Sequence, residues 1–555
     1  MPLPGVSFTA TQPSAPKAAS RADIALFAGL VARTSEQLSQ TELLALEQSA
    51  PAAVSKGGLG QDLLGVPVRI ESWNAFERLF DWTSRSSQTE LNDRVPTALG
   101  LAVRQFFEEG GTTAYIVRCG DPASLSEPEL EDAEFRASRL EILARGAGGD
   151  IPILPGLAGQ STRADPTDPA TWHGAAAIFE IEDVAMLVLP DLVDLCAPPL
   201  PEAPALAPTA YPPEQFRPCG EEADDPSDPT PAIAPIQYLA PRYDAQAYRL
   251  WSQAIAHALN MLGSPRGPAH RRDVMLLAAL PLPQQNAELP TDIMRAPLPL
   301  LDREGYAGSE EHPLALFDSG AIGNARLQLG YPWLKSPAAG AMPEGVQAPD
   351  GALAGLIARS ALEKGAFRSA AGSRLRGQSK PYPSLELAHI QRSFERPAAS
   401  SHHNPVNRAD WLGDRLCLFA SRGGQIELIS DSTFSQDRAW RPGGVSRLMG
   451  IIQRASRRFG ETLMFEPSGP ALWRSCEARM RSILERLRGL DAFAGSSPAE
   501  CYEVTCDRST MSQADIDAGR VRCRVIINPA HPVERIEVNL ALIEPVAASR
   551  SREAA

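Results

Sequence analysis

The segment Asp515-Ile-Asp517-Ala-Gly519 places two carboxylates and a glycine close together, as calcium-binding loops do. A working loop of that kind needs glycine at its sixth position and a bidentate acid at its twelfth. Counted from Asp515, the glycine is fifth and the twelfth residue is Ile526, so the spacing excludes this type of calcium site. We instead predict that Ser512 caps one short helical turn, which contains Asp515 and ends at Gly519.

Three other kinds of chemistry also lack their motifs. The glycine-containing segments 56–65 and 363–372 match neither G-x-G-x-x-G nor the phosphate-binding spacing that ends in Lys-Ser or Lys-Thr, and flexible loops are the simpler interpretation. His402 and His403 are adjacent, so their side chains diverge, and no H-E-x-x-H or C-x-x-C spacing occurs. No G-x-S-x-G turn is present, although a scattered Ser-His-Asp triad stays open. We predict no catalytic residue, cofactor or metal.

Arginine residues are concentrated between positions 447 and 488, in a chain whose formal net charge is −14. Within the predicted helix 446–459 they lie away from the apolar face. One interpretation is a solvated helix face with the arginine stems lying along the surface. The other is a cationic surface that positions an acidic partner. The candidate residues for that surface are Arg447, Arg454, Arg457 and Arg458.

The composition is that of a globular protein, and 555 residues suffice for two or three domains. The negative net charge argues against nucleic acid as the main partner, because phosphate binding requires a basic surface. The first residues lack the basic and apolar regions of a signal peptide. The best apolar run, 183–196, is too short for a membrane span and contains Pro190 and Asp191. Eight scattered cysteines fit reduced thiols, so we expect a protein made in the cytoplasm and not inserted into a membrane.

Helices and strands alternate along the chain, which predicts a mixed α/β (α+β) fold. Continuous apolar runs predict buried strands. Apolar residues at helical spacing predict helices, with Ser72 as an N-cap and Gly110-Gly111 as a stop. The predicted strands are 24–32, the start of 66–80, 113–119, 185–190, 273–280, 414–422, 462–467, 501–506, 521–528 and 533–542. The predicted helices are the remainder of 66–80, 98–111, 247–262, 446–459 and 471–490.

Two stretches interrupt this alternation. The proline density of residues 196–242 excludes regular structure, and an acidic run within them favours solvation. We therefore predict a surface insertion or a long extended connection there. Residues 366–407 are polar and rich in Gly, Ser and Pro, which marks a second candidate boundary.

The first twenty residues contain a short alternating segment. Pro, Ala, Ser and Thr dominate this stretch, which cannot form a core alone. Val6 and Phe8 nevertheless alternate with Ser7 and Thr9, as a strand that adds to a sheet edge requires. A frayed terminus is the alternative.

Two alternating strands are predicted near the other end of the chain. The first places Val521, Cys523, Val525 and Ile527 on one face. Pro529 and Pro532 then interrupt the ladder, and a break of this kind suits departure from the domain better than a hairpin turn. The last strand is a candidate for addition to a neighbouring chain, and the alternative is an edge strand that folds back on its own sheet. Its apolar positions are Ile536, Val538, Leu540 and Leu542.

Several segments, in order along most of the chain, resemble contractile tail sheath proteins. The resemblance in the first half rests on PGVSF (4–8), VPVRIESWNAFERLF (66–80), LGLAVRQFFEEGGTTAYIVR (99–118) and DVAMLVLPDL (183–192). In the middle it rests on LGYPWLK (329–335) and APDGALAGLIARSALEKGAFRSAAG (348–372). The C-terminal part contributes FEPSGPALW (465–473) and CDRSTMSQADIDAGRVRCRV (506–525), of which the last is the most specific.

This resemblance implies a sheath subunit that polymerises as stacked six-fold rings around an inner tube and contracts to drive the tube through a target cell envelope. It implies an outer α/β domain over residues 22–400, with insertions near 120–180 and at 196–242. An inner, tube-facing C-terminal α/β domain covers residues 401–530, and its sheet is completed by strands from neighbouring subunits. Those strands come from extended arms, residues 1–21 and 531–555, and pair with the sheet that contains Val521, Cys523, Val525 and Ile527.

The implied partners are copies of the chain itself, an inner tube protein, and baseplate and tail-terminator or cap proteins. The particle is expected to assemble in the cytoplasm as a phage tail or as an injection particle that is later released. A single chain with both arms is more similar to these than to type VI secretion sheaths, which are split into two chains. The alternative from the residues alone is an α/β enzyme with an unrecognised active site in the 120–330 region.

Overall fold

The computed structural model describes residues 21–49, 61–87, 94–146, 150–157, 164–166, 168–200, 238–263, 271–282, 325–384, 415–435, 437–463 and 466–531. Several predicted features lie outside these residues, namely the arm positions Val6, Phe8, Ile536, Val538, Leu540 and Leu542, the pair His402 and His403, and the strand 533–542.

Strands occur along the whole described chain. In order they are β1 (Ala25–Leu30), β2 (Ala32–Arg33), β3 (Pro67–Ile70), β4 (Phe80–Asp81), β5 (Arg85–Ser86), β6 (Arg94–Val95), β7 (Ala114–Gly120), β8 (Met186–Val188), β9 (Met275–Ala279), β10 (Leu327–Tyr331), β11 (Trp333–Lys335), β12 (Val346–Gln347), β13 (Lys380–Tyr382), β14 (Cys417–Arg422), β15 (Gln425–Leu428), β16 (Tyr502–Thr505) and β17 (Arg524–Ile527).

Six parallel strands form the centre of an eight-stranded sheet with the order β15-β14-β10-β9-β8-β1-β7-β3. Pairing is parallel from β14 through to β7, whereas β15 and β3 pair antiparallel at the two edges. Parallel strands must be covered on both faces, which explains the continuous apolar runs that predicted β1, β8 and β9. The smaller sheets are β12-β11-β13, β16-β17, β2-β4 and β5-β6.

Helices cover the sheet and extend the chain beyond it. They are α1 (Gln40–Ser49), α2 (Trp73–Leu79), α3 (Ala98–Glu108), α4 (Asp132–Ala144), α5 (Leu192–Leu195), α6 (Ala245–Gly263), α7 (Asp350–Glu363), α8 (Gly443–Thr462), α9 (Pro470–Arg488), α10 (Pro498–Cys501) and α11 (Gln513–Asp517). Two predicted end signals are confirmed. Ser72 Oγ accepts the Ala75 N–H at 3.2 Å before α2, and Gly110 has φ +106° after α3, a conformation that favours glycine.

Two hydrophobic cores lie on opposite faces of the large sheet. Leu26 and Leu276 belong to one core together with Trp251 of α6. Phe27, from the other face of β1, packs edge-on against Phe106 of α3, with ring centroids 5.5 Å apart. Apolar residues of α7, α8 and α9 belong to this second core as well. The mixed α/β architecture predicted from the sequence is therefore confirmed.

Two sequence predictions differ from the structure. The predicted strand 462–467 is wrong in its described part, because α8 continues to Thr462 and Leu463 forms a turn by donating its N–H to Gly460 O at 3.0 Å. The boundary placed at residue 401 does not separate two sheets, because β14 pairs with β10 and β15 pairs with β14 in the large sheet.

Helix α8 is joined to the sheet by a buried ion pair near its first turn. Arg447 donates to Asp431 at 3.0 and 2.5 Å, and its side chain is 3% exposed. Gln328 of β10 and the Ala370 N–H also donate to Asp431. Burial opposes ionisation of Asp431, but Arg447 outweighs that effect and lowers the pKa. A Cβ on Gly443 would lie 2.4 Å from Asp431 Oδ1, so only glycine allows the helix to begin this close to the carboxylate.

A second buried pair holds the same helix seven residues later. Arg454 donates to Asp273 O at 2.8 Å, lies 3.7 Å from its carboxylate, and donates to Arg21 O at 3.1 Å. Asp273 also pairs with Arg271 and Arg457. Seven residues make about two helical turns, so Arg447 and Arg454 lie on one face. Their assignment to a tube-facing surface is wrong, because each guanidinium is buried within the chain against a carboxylate.

We expect Arg447→Met to lower the free energy of unfolding by about 3–5 kcal/mol, because it leaves the Asp431 carboxylate buried without its cation. Urea unfolding followed by circular dichroism measures this change. The matched control is Arg458→Met on the same helix, for which we expect a change below about 0.5 kcal/mol. Equal effects of the two substitutions would contradict the anchoring role of Arg447.

Candidate functional site

The β16–β17 hairpin is the part of the chain on which the sequence placed an accepting sheet. Its strands pair antiparallel from Tyr502↔Ile527 to Thr505↔Arg524. Beyond Ile527, Asn528 N donates to Cys501 O at 2.8 Å, which continues the same ladder by one residue. The predicted strand 501–506 is thus close to β16, whereas the predicted strand 521–528 is regular only from Arg524.

The connection between the two strands is held by the predicted cap. Ser512 Oγ accepts the Asp515 N–H at 3.2 Å, and the Asp515 carboxylate accepts the Ser512 N–H at 3.1 Å, which completes a capping box around α11. Gly519 follows the helix with φ +67°. Hydrogen bonds from Ser512, together with Arg520 and Arg522, lower the pKa of Asp515 to about 2. The interpretation of this segment as a capped turn is confirmed.

The predicted alternation along the second strand is also present. Val521, Cys523, Val525 and Ile527 are half-buried, whereas the residues between them are exposed. Val525 and Ile527 pack on the second core of the large sheet, and Val521 packs on a small cluster around Trp473. The side chains therefore face the chain's own core, and any pairing with another strand involves the backbone edge.

One backbone edge of β17 faces away from β16. In an antiparallel ladder successive residues direct their N–H and C=O groups to opposite sides. The Asn528 N–H points toward Cys501 of the partner strand, so the backbone groups of Ile526 and Arg524 point to that same side. The backbone N–H and C=O groups of Val525 and Ile527 therefore point to the outer edge. Among the described residues no strand pairs with that outer edge. The hairpin thus carries an edge that is chemically ready for strand addition.

An apolar groove runs beside this edge. It has a volume of about 540 Å³ and lies between the end of α8, the first half of α9 and the strand that leads into β17. We call it the hairpin groove. Sequence reasoning did not identify it as a site. Its apolar wall consists of Phe459, Leu463, Leu472, Met480, Val521 and Val525, with Cys476 and Cys523 beside them.

The remaining candidates for the cationic surface behave differently from Arg447 and Arg454. Arg457 is 26% exposed, and one of its nitrogens lies 3.1 Å from Asp273. Arg458 is half-buried and follows it on α8. On α9, by contrast, Arg474 and Arg481 are exposed. Of these arginines, those that reach the surface thus lie at the end of α8 and on α9.

The region proposed for an enzyme site contains buried acids at the carboxyl ends of parallel strands, where α/β enzymes bind ligands. Asp191 follows β8, and its Oδ2 accepts the Leu30 N–H at 2.9 Å. A Cβ on Gly29 would lie 2.0 Å from that oxygen. Burial raises the pKa of Asp191 to about 7, and burial also raises the pKa of Asp350 to about 6. These groups are packed into the protein and do not open toward a substrate.

The nearby cavity is small. Its volume is about 20 Å³, and Arg85, Arg139 and Asp194 line part of it. Arg85 and Asp194 pair with each other at 2.6 Å. A space of this size holds about one water molecule.

Within the residues that the structure describes, no group of three or more His, Cys, Asp and Glu side chains is placed to hold a metal ion. In that part of the chain, no helix has the length and apolar character that a membrane span requires. The glycine-containing segment 363–372, interpreted from the sequence as a flexible loop, donates its Ala370 N–H to the Asp431 carboxylate.

We expect the free energy of unfolding to fall as pH rises from about 4 to 7, in part because of Asp191. Its folded pKa of about 7 exceeds the ordinary value of 3.8, so the folded chain binds the extra proton in this window. Asp191→Asn keeps an acceptor for the Leu30 N–H and removes the titration. In this variant the free energy of unfolding should fall less steeply with pH, by up to about 1.4 kcal/mol per pH unit. Urea unfolding at a series of pH values measures the difference. An unchanged slope in Asp191→Asn would contradict the burial effect.

Comparison with known proteins gives whole-chain structural similarity without sequence matches. No family model matches the sequence, and no curated protein matches it. The cryo-EM structure of the anti-feeding prophage (AFP) baseplate, 6-fold symmetrised, contains a chain with TM-score 0.51 and 17% identity, and the alignment covers 98% of this chain and 100% of that one. The AFP baseplate in contracted state gives TM-score 0.51 and 17% identity, with 98% and 99% covered.

A third similar structure is the sheath complex of the extracellular contractile injection system PVC in contracted state. It has TM-score 0.49 and 15% identity, and 98% of each chain is covered. The two AFP alignments run almost from end to end in both partners. This chain therefore has the fold of a protein chain in the baseplate of the anti-feeding prophage, in its six-fold symmetrised and contracted structures.

Proposed function

We propose that the chain is the structural subunit of a contractile sheath, which polymerises as stacked six-fold rings around an inner tube and contracts to drive the tube through a target cell envelope. The observation that carries the proposal is the whole-chain fold similarity to AFP, a particle whose baseplate structures are six-fold symmetrised and contracted. The sequence segments that resemble sheath proteins occur in the same order along the chain, and they support the same conclusion independently.

Strand addition at the hairpin is the contact that joins the subunits in this proposal. The outer edge of β17 offers backbone groups at Val525 and Ile527, and the hairpin groove beside it is apolar. An arm strand with alternating apolar residues can pair with the edge and place every second side chain in the groove. Each ladder hydrogen bond contributes about 1 kcal/mol net, so a strand of about six residues contributes several kcal/mol with its apolar contacts.

The arms that donate these strands are residues 1–21 and 531–555 in the proposal. The chain reaches the C-terminal arm directly from the hairpin, because Ala530 N still donates to Ala492 O at 3.1 Å and His531 is the last described residue. The arm therefore starts at the end of the accepting sheet. A short connection can carry it to the corresponding sheet of an adjacent subunit.

The remaining partners follow from the same role. The subunit binds copies of itself, an inner tube protein, and baseplate and tail-terminator or cap proteins. Assembly takes place in the cytoplasm, and the product is a phage tail or a released injection particle. No catalytic step is needed, since the free energy of contraction comes from the difference in packing between two arrangements of the subunits.

Contact with the tube is proposed for the end of α8. Arg457 uses one nitrogen for Asp273, and Arg458 is the partly exposed residue beside it. Cations at such a surface position an acidic partner by long-range attraction, which salt weakens. This placement keeps only the two arginines of the original four that reach the surface.

We expect Val6→Asp combined with Phe8→Asp to yield a folded chain that does not form long tubes. Charged side chains at these two positions cannot enter an apolar groove, whereas the core does not involve them in the proposal. Circular dichroism checks folding, and negative-stain microscopy checks polymer length. Ser7→Asp with Thr9→Asp, on the opposite face of the same strand, is the matched control and should polymerise. Long tubes from the Val6 and Phe8 variant would refute the arm contact.

We expect Arg458→Glu to reduce co-assembly with purified inner tube protein several-fold, most strongly at low salt. Sedimentation of tube and sheath together measures the reduction. Arg94→Glu, at an exposed arginine of β6, serves as the control and should co-sediment normally. Equal recovery of tube with both variants would assign Arg458 to the solvated helix face instead.

A further inference from the structure

Three cysteine side chains meet beneath the hairpin groove. Cys506 follows β16, Cys523 precedes β17, and Cys476 lies on α9. Cys476 and Cys506 belong to the small apolar cluster around Trp473, and Cys523 packs against the same cluster. We call these residues the thiol cluster. Within the described residues no group of three or more His, Cys, Asp and Glu side chains could hold a metal ion, and this applies to the thiol cluster too.

The register of the hairpin sets Cys506 and Cys523 opposite each other. The last pair of the ladder is Thr505↔Arg524, and the next step joins residues 506 and 523. By the alternation of the ladder this step is a non-hydrogen-bonded position, where facing Cα atoms are about 4.5 Å apart and side chains share one face. A disulfide accepts Cα separations of about 4.4–6.8 Å. The register of the hairpin is therefore compatible with a disulfide between the two cysteines.

Access distinguishes the three thiols. Cys476 and Cys506 are buried, with exposures of 6% and 2%, whereas Cys523 is half-buried. Cys523 and Cys476 line the hairpin groove, which is wide enough to admit a small molecule. A reagent in the groove thus reaches Cys523 first. Burial raises the pKa of both Cys523 and Cys506, so the reaction is expected to be slow at neutral pH.

We propose that the thiol cluster is a redox modification site, at which a small-molecule disulfide converts Cys506 and Cys523 into a cross-strand disulfide. The Cys523 thiolate attacks one sulfur of the reagent, forms a mixed disulfide and releases one thiolate. Cys506, deprotonated, then attacks the Cys523 sulfur and displaces the second thiolate. The two protein thiols lose two electrons and two protons, and the reagent disulfide is reduced to two thiols.

The bond closes the connection between β16 and β17. It encloses residues 507–522, including the capped turn at Ser512, and joins the two strands at the end next to this connecting segment. Cross-linking reduces the freedom of the unfolded chain. The oxidised hairpin therefore opens less readily. Disulfides persist outside the reducing cytosol, so the bond is not expected inside the cell during assembly.

The test uses the full chain, dispersed and reduced, with Cys219→Ser because that residue lies outside the described range. The chain is incubated with oxidised glutathione and mapped by mass spectrometry without reduction. We expect a peptide pair joined through Cys506 and Cys523, and a higher Tm that reverts with a reductant. Cys119 and Cys417, which are fully buried in the sheet, should stay unmodified and serve as internal controls.

Single substitutions separate the steps. Cys476→Ser should still give the Cys506–Cys523 bond, whereas Cys506→Ser should trap glutathione on Cys523 and lose the rise in Tm. A Cys476–Cys506 bond as the main product would overturn the assignment of the pair. Absence of any bond, under conditions that oxidise the urea-unfolded chain, would overturn the site itself.

A second experiment rests on the proposed function and tests that function separately from the redox site. In assembled tubes a strand in the hairpin groove should cover Cys523 and slow its oxidation at least ten-fold relative to the dispersed chain. Equal rates in tubes and dispersed chains, with the Cys506–Cys523 bond formed in both, would leave the redox site intact and contradict occupation of the groove.

Discussion

The position of α8 depends on two arginine–carboxylate pairs that are buried in the interior. Asp431 lies in the segment after β15 and Asp273 in the turn before β9, so the helix is attached beside two separate strands of the large sheet. Loss of one partner leaves a charge in a low-dielectric interior, which costs several kcal/mol. Apolar packing alone tolerates small shifts of a helix, whereas paired charges with hydrogen bonds tolerate few. The two ion pairs therefore fix the orientation of α8 relative to the large sheet as well as its contacts with the sheet.

The hairpin depends on this attachment through a chain of contacts. The end of α8 and the first half of α9 form one wall of the hairpin groove, and the strand leading into β17 forms the other. Arg454 also donates to Arg21 O, the point at which the described chain begins. The same helix thus touches the start of the described chain and supports its last described strand. In the polymer proposed above, these contacts of α8 would connect both ends of a subunit to the large sheet.

Much of the fold was predictable because its signals are local. Continuous apolar runs identified β1, β8 and β9, and the Ser512 cap was recognised from residues three positions apart. The errors arose where the deciding partner is distant in sequence. Arg447 and Arg454 were expected at the surface because their carboxylates lie 16 and 181 residues away. Segment 462–467 was predicted as a strand, but α8 continues to Thr462 and a turn follows at Leu463. The hairpin groove was missed since three separate segments build it.

The alternation along β17 has a geometric consequence for anything that docks there. Only every second residue of the strand directs its backbone outward, so an incoming strand can move along the edge in strides of two residues, about 7 Å each. A displacement of one residue turns every side chain to the wrong face. A strand joint between molecules at this edge accordingly has discrete registers, each two residues apart. A lattice built from such joints resists gradual sliding of one molecule along another.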